Sequence, residues 1–101
     1  MSEITLYYAE WCGHCQQFKP TWEALKPMFD KHNIKHAEYE DNTNSDMITK
    51  AGIEGFPTIR IKKQGQEYDY SGQRTPDAIL HELITNLKGG GNSRRYKINY
   101  L

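Results

Sequence analysis

The chain has 101 residues, with 13 basic and 13 acidic side chains that cancel to zero net charge, and only two cysteines. That length builds one domain with a modest core. Zero net charge removes the electrostatic case for nucleic acid or an anionic membrane as main partner, and no apolar run approaches membrane-spanning length.

Ile4-Thr5-Leu6-Tyr7-Tyr8 is rich in strand formers and reads as a buried strand. It leads into Trp11-Cys12-Gly13-His14-Cys15, where a helical pattern begins. Phe18, Trp22, Leu25 and Phe29 recur at helical spacing, a stripe that must lie against a sheet. Pro20 and Pro27 each remove a helix hydrogen bond, so a kink is expected at the first and a kink or restart at the second. Ile34 to Glu40 reads as a second, unusually polar strand. Ser45 is placed to cap a short helix through Met47, Ile48 and Ala51, which Gly52 ends.

Thr58-Ile59-Arg60-Ile61 alternates as a strand, Lys63-Gln64-Gly65 turns, and Glu67-Tyr68-Asp69-Tyr70 returns as its hairpin partner. Thr75-Pro76-Asp77 opens a last helix with a capping hydroxyl, a proline at the first position and an acid in the first turn. Ile79, Leu80, Leu83, Ile84 and Leu87 supply its buried face. The domain is expected over residues 1–88, and a Gly-rich linker with a basic, aromatic tail over 89–101, starting at Gly89-Gly90-Gly91 and carrying Arg94, Arg95, Tyr96, Lys97 and Tyr100. Disorder is the expectation for such a tail. The first two strands, joined by a helix, should be parallel, and the last two antiparallel on the same sheet.

Chemistry concentrates in the cysteine run. Two intervening residues let both sulfurs meet across one helical turn, so the pair can close as a disulfide or open as a dithiol. Unpaired N–H groups and the positive dipole end at the helix start favour the Cys12 thiolate, while Cys15, one turn further in, stays protonated longer. One sulfur attacks and the other resolves, the asymmetry that thiol–disulfide exchange needs. A zinc half-site is the competing reading, but His14, His32, His36 and His81 offer no second paired spacing, so zinc would need a dimer. A purely structural disulfide is weak, because so short a loop constrains the unfolded chain little. His14 between the cysteines adds a partly protonated imidazole favouring the thiolate, which makes the disulfide more oxidising. His32, His36 and His81 read as ordinary surface or strand residues.

Tyr8-Ala9-Glu10-Trp11-Cys12-Gly13-His14-Cys15, Pro20, Gly55-Phe56-Pro57-Thr58 and Tyr70-Ser71-Gly72-Gln73-Arg74-Thr75 together resemble a thioredoxin-fold domain of the protein disulfide isomerase type, over about residues 4 to 88. The resemblance implies an α/β fold, a three-layer α/β/α sandwich with a four-stranded mixed sheet and without the family's extra N-terminal strand and helix. It implies Cys12 as nucleophile, Cys15 as resolving thiol, Gly13 and His14 as the isomerase-type centre and Arg74 as an assisting cation. Pro57, which alone would be expected trans, becomes a cis-proline facing the sulfurs, with Phe56 beside it, and Trp11 and Gly72 join the substrate face. Relatives carry a buried acid six residues before the first cysteine and a lysine partner on the neighbouring strand. Leu6 stands at the first position and Glu38 at the second. Glu38, buried without a cation, would then have a raised pKa and accept the Cys15 proton; the alternative is that it faces solvent.

The function expected is a thiol–disulfide oxidoreductase or disulfide isomerase acting on protein clients through a mixed disulfide at Cys12. It needs no cofactor or metal, works as a monomer, and exchanges electrons with glutathione or a reductase. A thioredoxin-like reductant and a redox-fold assembly module that contacts partners through its tail are the alternatives. The start Met1-Ser2-Glu3-Ile4 lacks a secretory pattern and Asn99-Tyr100-Leu101 is no retention signal, so a cytoplasmic site of action is expected, or a virion or viral factory for a virus-encoded chain.

Overall fold

A computed structural model describes residues 2–85. The expected helix face at Leu87, the glycine run and the tail over 89–101 lie outside the described residues. Four strands, β1 (Ser2–Tyr8), β2 (Lys35–Glu40), β3 (Thr58–Lys63) and β4 (Gln66–Asp69), form one mixed sheet in the order β2-β1-β3-β4. β1 runs parallel to β2 and antiparallel to β3. Helices α1 (Gly13–Lys31) and α3 (Pro76–Ile84) cover the face made by Ile4, Leu6, Ile59 and Ile61, and Phe18, Trp22, Leu25, Phe29, Ile79 and Leu83 complete that core. The other face carries Tyr7, stacked on Tyr39 with centroids 5.8 Å apart. Arg60 lies over Tyr7 and reaches from that face to the Ala51 carbonyl at 2.8 Å, so the third layer is α2 (Ser45–Lys50). The expected four-stranded, three-layer α/β architecture is present.

Helix α1 runs through Pro20 and Pro27 as one element, so of the kink or restart expected at the second proline the restart does not occur. Each interior proline costs about 3 kcal/mol. Both are exposed, while Phe18, Trp22, Leu25 and Phe29 on the opposite side are buried, at roughly 2 kcal/mol each. The buried stripe decides. The helix ends in a Schellman arrangement: Asn33 has φ 58°, its N–H reaches Asp30 O at 3.2 Å, and the Ile34 N–H reaches Phe29 O at 2.8 Å. With its N–H turned back to the helix, Ile34 stays outside the strand, which therefore begins one residue later than expected.

In α2 the expected cap at Ser45 is corrected. Asn44 holds the cap position, and Ser45 is already helical. No side-chain capping bond forms, since Asn44 Oδ1 accepts instead from Thr43 Oγ1 at 3.2 Å. Gly52 ends the helix as expected, at φ +71°. Gln64 and Gly65, both at positive φ, make a two-residue turn that suits the right-handed twist of the hairpin. Thr75 caps α3 as expected, its Oγ1 accepting from the Ala78 N–H at 3.2 Å. Ile84, expected in the buried face, is 52% exposed, because Ile79 and Leu83 already fill the contact with the sheet. The helix's last carbonyls are met by Lys63, a buried β3 side chain whose ammonium donates to Glu82 O and to Thr85 O.

Candidate active site

β1 delivers the chain to the site through Ala9, fully buried, whose carbonyl accepts from the Cys12 N–H at 3.1 Å. Cys12 is the cap residue of α1 with extended backbone (φ −89°, ψ 123°), and its carbonyl starts the helix by accepting from Gln16 N–H at 3.0 Å. No polar side chain caps this end. The orphan N–H groups are thereby left to the Cys12 sulfur. The Cys15 backbone N–H and the Cys15 thiol both donate to it, and the His14 N–H and the Arg74 charge add to them. Together these outweigh burial and hold the Cys12 thiol below its ordinary pKa.

Cys15 has the opposite environment. It is 1% exposed, and desolvation is the main reason its pKa is pushed up to about 11, with the neighbouring Cys12 adding to the rise. The two cysteines are free thiols. The expected asymmetry is therefore built into one helical turn, although the His14 side chain is not what the geometry puts against the sulfur. His14 meets Cys12 through its backbone N–H, while the residue itself is exposed and lines a cleft with Gln17, Phe18 and Arg74. A Cβ at Gly13 would meet nothing within 4 Å, so the surface there is open.

The Phe56-Pro57 bond is cis, as the resemblance implied. The Cys12 thiol faces the Phe56 carbonyl at 3.5 Å, and Thr58 Oγ1 donates to Gly55 O at 2.7 Å across this turn. Trp11 is 65% exposed, edge-on to Phe56 with centroids 5.9 Å apart, and its Nε1 points at Asp41 Oδ2 at 3.4 Å. Trp11 and Phe56 thus form an apolar rim beside the sulfurs. Arg74 is exposed, and its charge draws both thiols down. Gly72 has a packing reason: a Cβ there would lie 2.5 Å from Tyr70 Oη, which donates to Gln73 O at 2.7 Å.

Glu38 requires correction. It pairs in register with Leu6, as its expected place on the neighbouring strand required. It is not a buried base without a cation, nor does it simply face solvent. Lys26 reaches it at 2.8 Å, Lys19 at 3.4 Å and Trp22 Nε1 at 2.7 Å. Burial pushes its pKa up, but the hydrogen bonds from Lys26 and Trp22 and the two lysine charges overcome this and hold the carboxyl at about 2. A carboxylate so acidic accepts no proton near neutral pH.

Lys19, Trp22 and Lys26, spaced three and four apart, form the helix face that binds Glu38, and that spacing was visible in the sequence. Glu40 was also missed. Its buried carboxylate accepts from the Asn42, Thr43 and Glu10 N–H groups at 2.9, 3.1 and 3.2 Å, and so ties the β2–α2 loop to the segment preceding the cysteines. Among the described residues no group of three or more His, Cys, Asp or Glu side chains could hold a metal ion, and no described helix is long and apolar enough to cross a membrane.

A family model described as thioredoxin matches residues 2–85. The chain is 38% identical over 79 residues to protein disulfide-isomerase A4 of Bos taurus, covering 76% of this chain and 12% of that protein. It is 37% identical over 82 residues to protein disulfide-isomerase A6 of Homo sapiens, covering 77% of this chain and 19% of that one. It therefore spans a small part of these relatives' length. The solution structure of the first thioredoxin domain of mouse protein disulfide-isomerase A4 superposes with a TM-score of 0.69 at 29% identity, over 93% of this chain and 73% of that one. The first two thioredoxin domains of Naumovozyma dairenensis Eps1p, at 24% identity and a TM-score of 0.71 over 80% of this chain and 33% of theirs, share the fold. A cysteine pair at a helix start, the Phe56 carbonyl of the cis Phe56-Pro57 bond facing the first sulfur and these matches converge: the chain belongs to the thioredoxin family and is homologous to the thioredoxin domains of protein disulfide isomerases.

Proposed function

We propose that this chain forms, breaks or rearranges disulfides in protein clients through a mixed disulfide at Cys12. The observation that carries the reading is the opposed tuning of two sulfurs in one turn, Cys12 lowered by donated hydrogen bonds and Cys15 raised to about 11 by burial. The thiolate is the nucleophile, so at a given pH Cys12 carries the larger thiolate fraction and attacks, while Cys15 waits.

In the reducing direction the Cys12 thiolate attacks one client sulfur, the client S–S bond breaks, and the other client sulfur leaves as a thiolate that takes a proton from water. An extended client segment lies beside Phe56 and Pro57, with Trp11 covering its apolar side. Cys15 then loses its proton and attacks Cys12, which releases the client as a dithiol and leaves the enzyme oxidised. Oxidation of a client dithiol is the reverse. Glutathione or a reductase resets the pair, and the measured reduction potential separates an isomerase-type poise from a thioredoxin-like one.

Cys15→Ala tests the reading by leaving Cys12 unable to release its client. Covalent client adducts should accumulate on Cys12, dissolve in reductant and vanish in Cys12→Ser. Alkylation of the wild type should modify Cys12 at neutral pH well before Cys15. Equal reactivity of both sulfurs, or no adduct in Cys15→Ala, would refute it.

A further inference from the structure

Cys15 borders a second opening besides the face that Cys12 shares with Phe56. It is a cleft of about 380 Å³ lined by Tyr8, Ala9, Glu10, Cys15, Gln16 and Lys19. Cys15 and Lys19 are four residues apart on α1, so they share a helix face with Cβ atoms roughly 6 Å apart. The Lys19 ammonium stands 4.2 Å from the centroid of the Tyr8 ring, a cation–π contact at the cleft wall. Its carboxylate contacts are long, 3.4 Å to Glu38 and 3.7 Å to Glu23. Lys26 takes the same two carboxylates at 2.8 and 3.1 Å, and Trp22 takes Glu38 at 2.7 Å. Lys19 is therefore held at the cleft wall, while the shorter contacts to the shared carboxylates go to Lys26. Leu6, fully buried and in register with Glu38, supplies no ionisable group beneath the pair.

We propose that Lys19 is the electrostatic partner of Cys15 in resolving the mixed disulfide, its ammonium favouring the Cys15 thiolate across the cleft. This rests on the mixed-disulfide reading above. In the step concerned the Cys15 thiol gives its proton to solvent water, its sulfur bonds to the Cys12 sulfur, and the Cys12–client bond breaks. The departing client thiolate is protonated by water; over the whole cycle two client sulfurs are reduced and two enzyme sulfurs oxidised. The groups acting on the Cys15 thiol are the Ala9 backbone, Cys12 from the start of α1 and Arg74 from the loop before α3. Those around Lys19 are Glu23 and Lys26 on α1, Glu38 from β2, and Tyr8 and Glu10 at the cleft.

A chromogenic nitrothiobenzoate disulfide serves as probe, because attack by Cys12 and resolution by Cys15 each release one coloured thiolate. Lys19→Gln should leave the first release at the wild-type rate. It should slow the second about three- to ten-fold at neutral pH and move its pH midpoint upward by about half to one pH unit, a moderate Coulomb contribution. Lys19→Met, which keeps the aliphatic stem on Tyr8, should behave the same, and Lys19→Arg should restore the wild-type profile. An unchanged second release in both neutral variants, or failure of Lys19→Arg to restore it, overturns the proposal. Wild-type protein that releases one thiolate and no second would instead refute the mixed-disulfide reading itself.

Discussion

Replacing Glu38 with Gln removes the charge that Lys19, Lys26 and the Trp22 indole surround, and it tests whether that carboxylate is a structural anion. Its pKa falls from an ordinary 4.5 to about 2 on folding. At about 1.4 kcal/mol per pH unit, that gap corresponds to about 3 kcal/mol of folded-state preference for the anion. The side chain is 30% exposed, and solvent screening reduces the expected effect to about 1–2 kcal/mol. The folded pKa is depressed, so this stability is fully present above pH 4.5 and is lost as pH falls through about 2. Urea unfolding of wild type and Glu38→Gln should differ by about 1–2 kcal/mol at pH 7, roughly 5–15 °C in Tm for a domain of this size. The curves should converge as pH approaches 2. A difference that persists unchanged at low pH would mean that lost packing, not lost charge, explains the variant. Equal stability at pH 7 would refute the ion cluster. Release of a mixed disulfide should not be slowed in this variant, since Glu38 holds no proton to exchange near neutral pH.

The role of His14 divides between ring and backbone. His14→Ala keeps the N–H that meets Cys12 and should leave the Cys12 alkylation pKa nearly as it is, whereas His14→Pro deletes that donor and should raise the pKa and lower the reduction potential; equal shifts in both variants would return the effect to the imidazole. Gly72→Ala places a Cβ 2.5 Å from Tyr70 Oη and should destabilise by about 1–3 kcal/mol in thermal unfolding. Removing the ring first, in Tyr70→Ala, should abolish most of that cost; undiminished loss in the double variant would disprove the steric account.

The features legible in the chain are those set by neighbours a few residues apart. Thr75-Pro76 marked the start of α3, Gln64-Gly65 the hairpin, and the Phe18, Trp22, Leu25, Phe29 spacing the covered face of α1, because capping, turn geometry and periodicity are local. The placement of Cys12 at the helix start followed from the same kind of pattern. Where local signals compete, the reading slipped by a residue: Asn44 and Ser45 are both capping types, and the bond from Thr43 to the Asn44 side chain was not visible from residue type. Glu38 shows the larger gap. Its register opposite Leu6 followed from matching strand positions, yet its ionisation depends on how α1 lies along β2, which brings Lys19, Trp22 and Lys26 onto one carboxylate from 12 to 19 positions away. The facing of Cys12 by the Phe56 carbonyl is similar, 44 positions apart in the chain and 3.5 Å apart in space. A pKa is a sum over charges, donors and excluded water in three dimensions. Sequence order supplies the participants, and their distances come from packing one helix face against one edge of a twisted sheet.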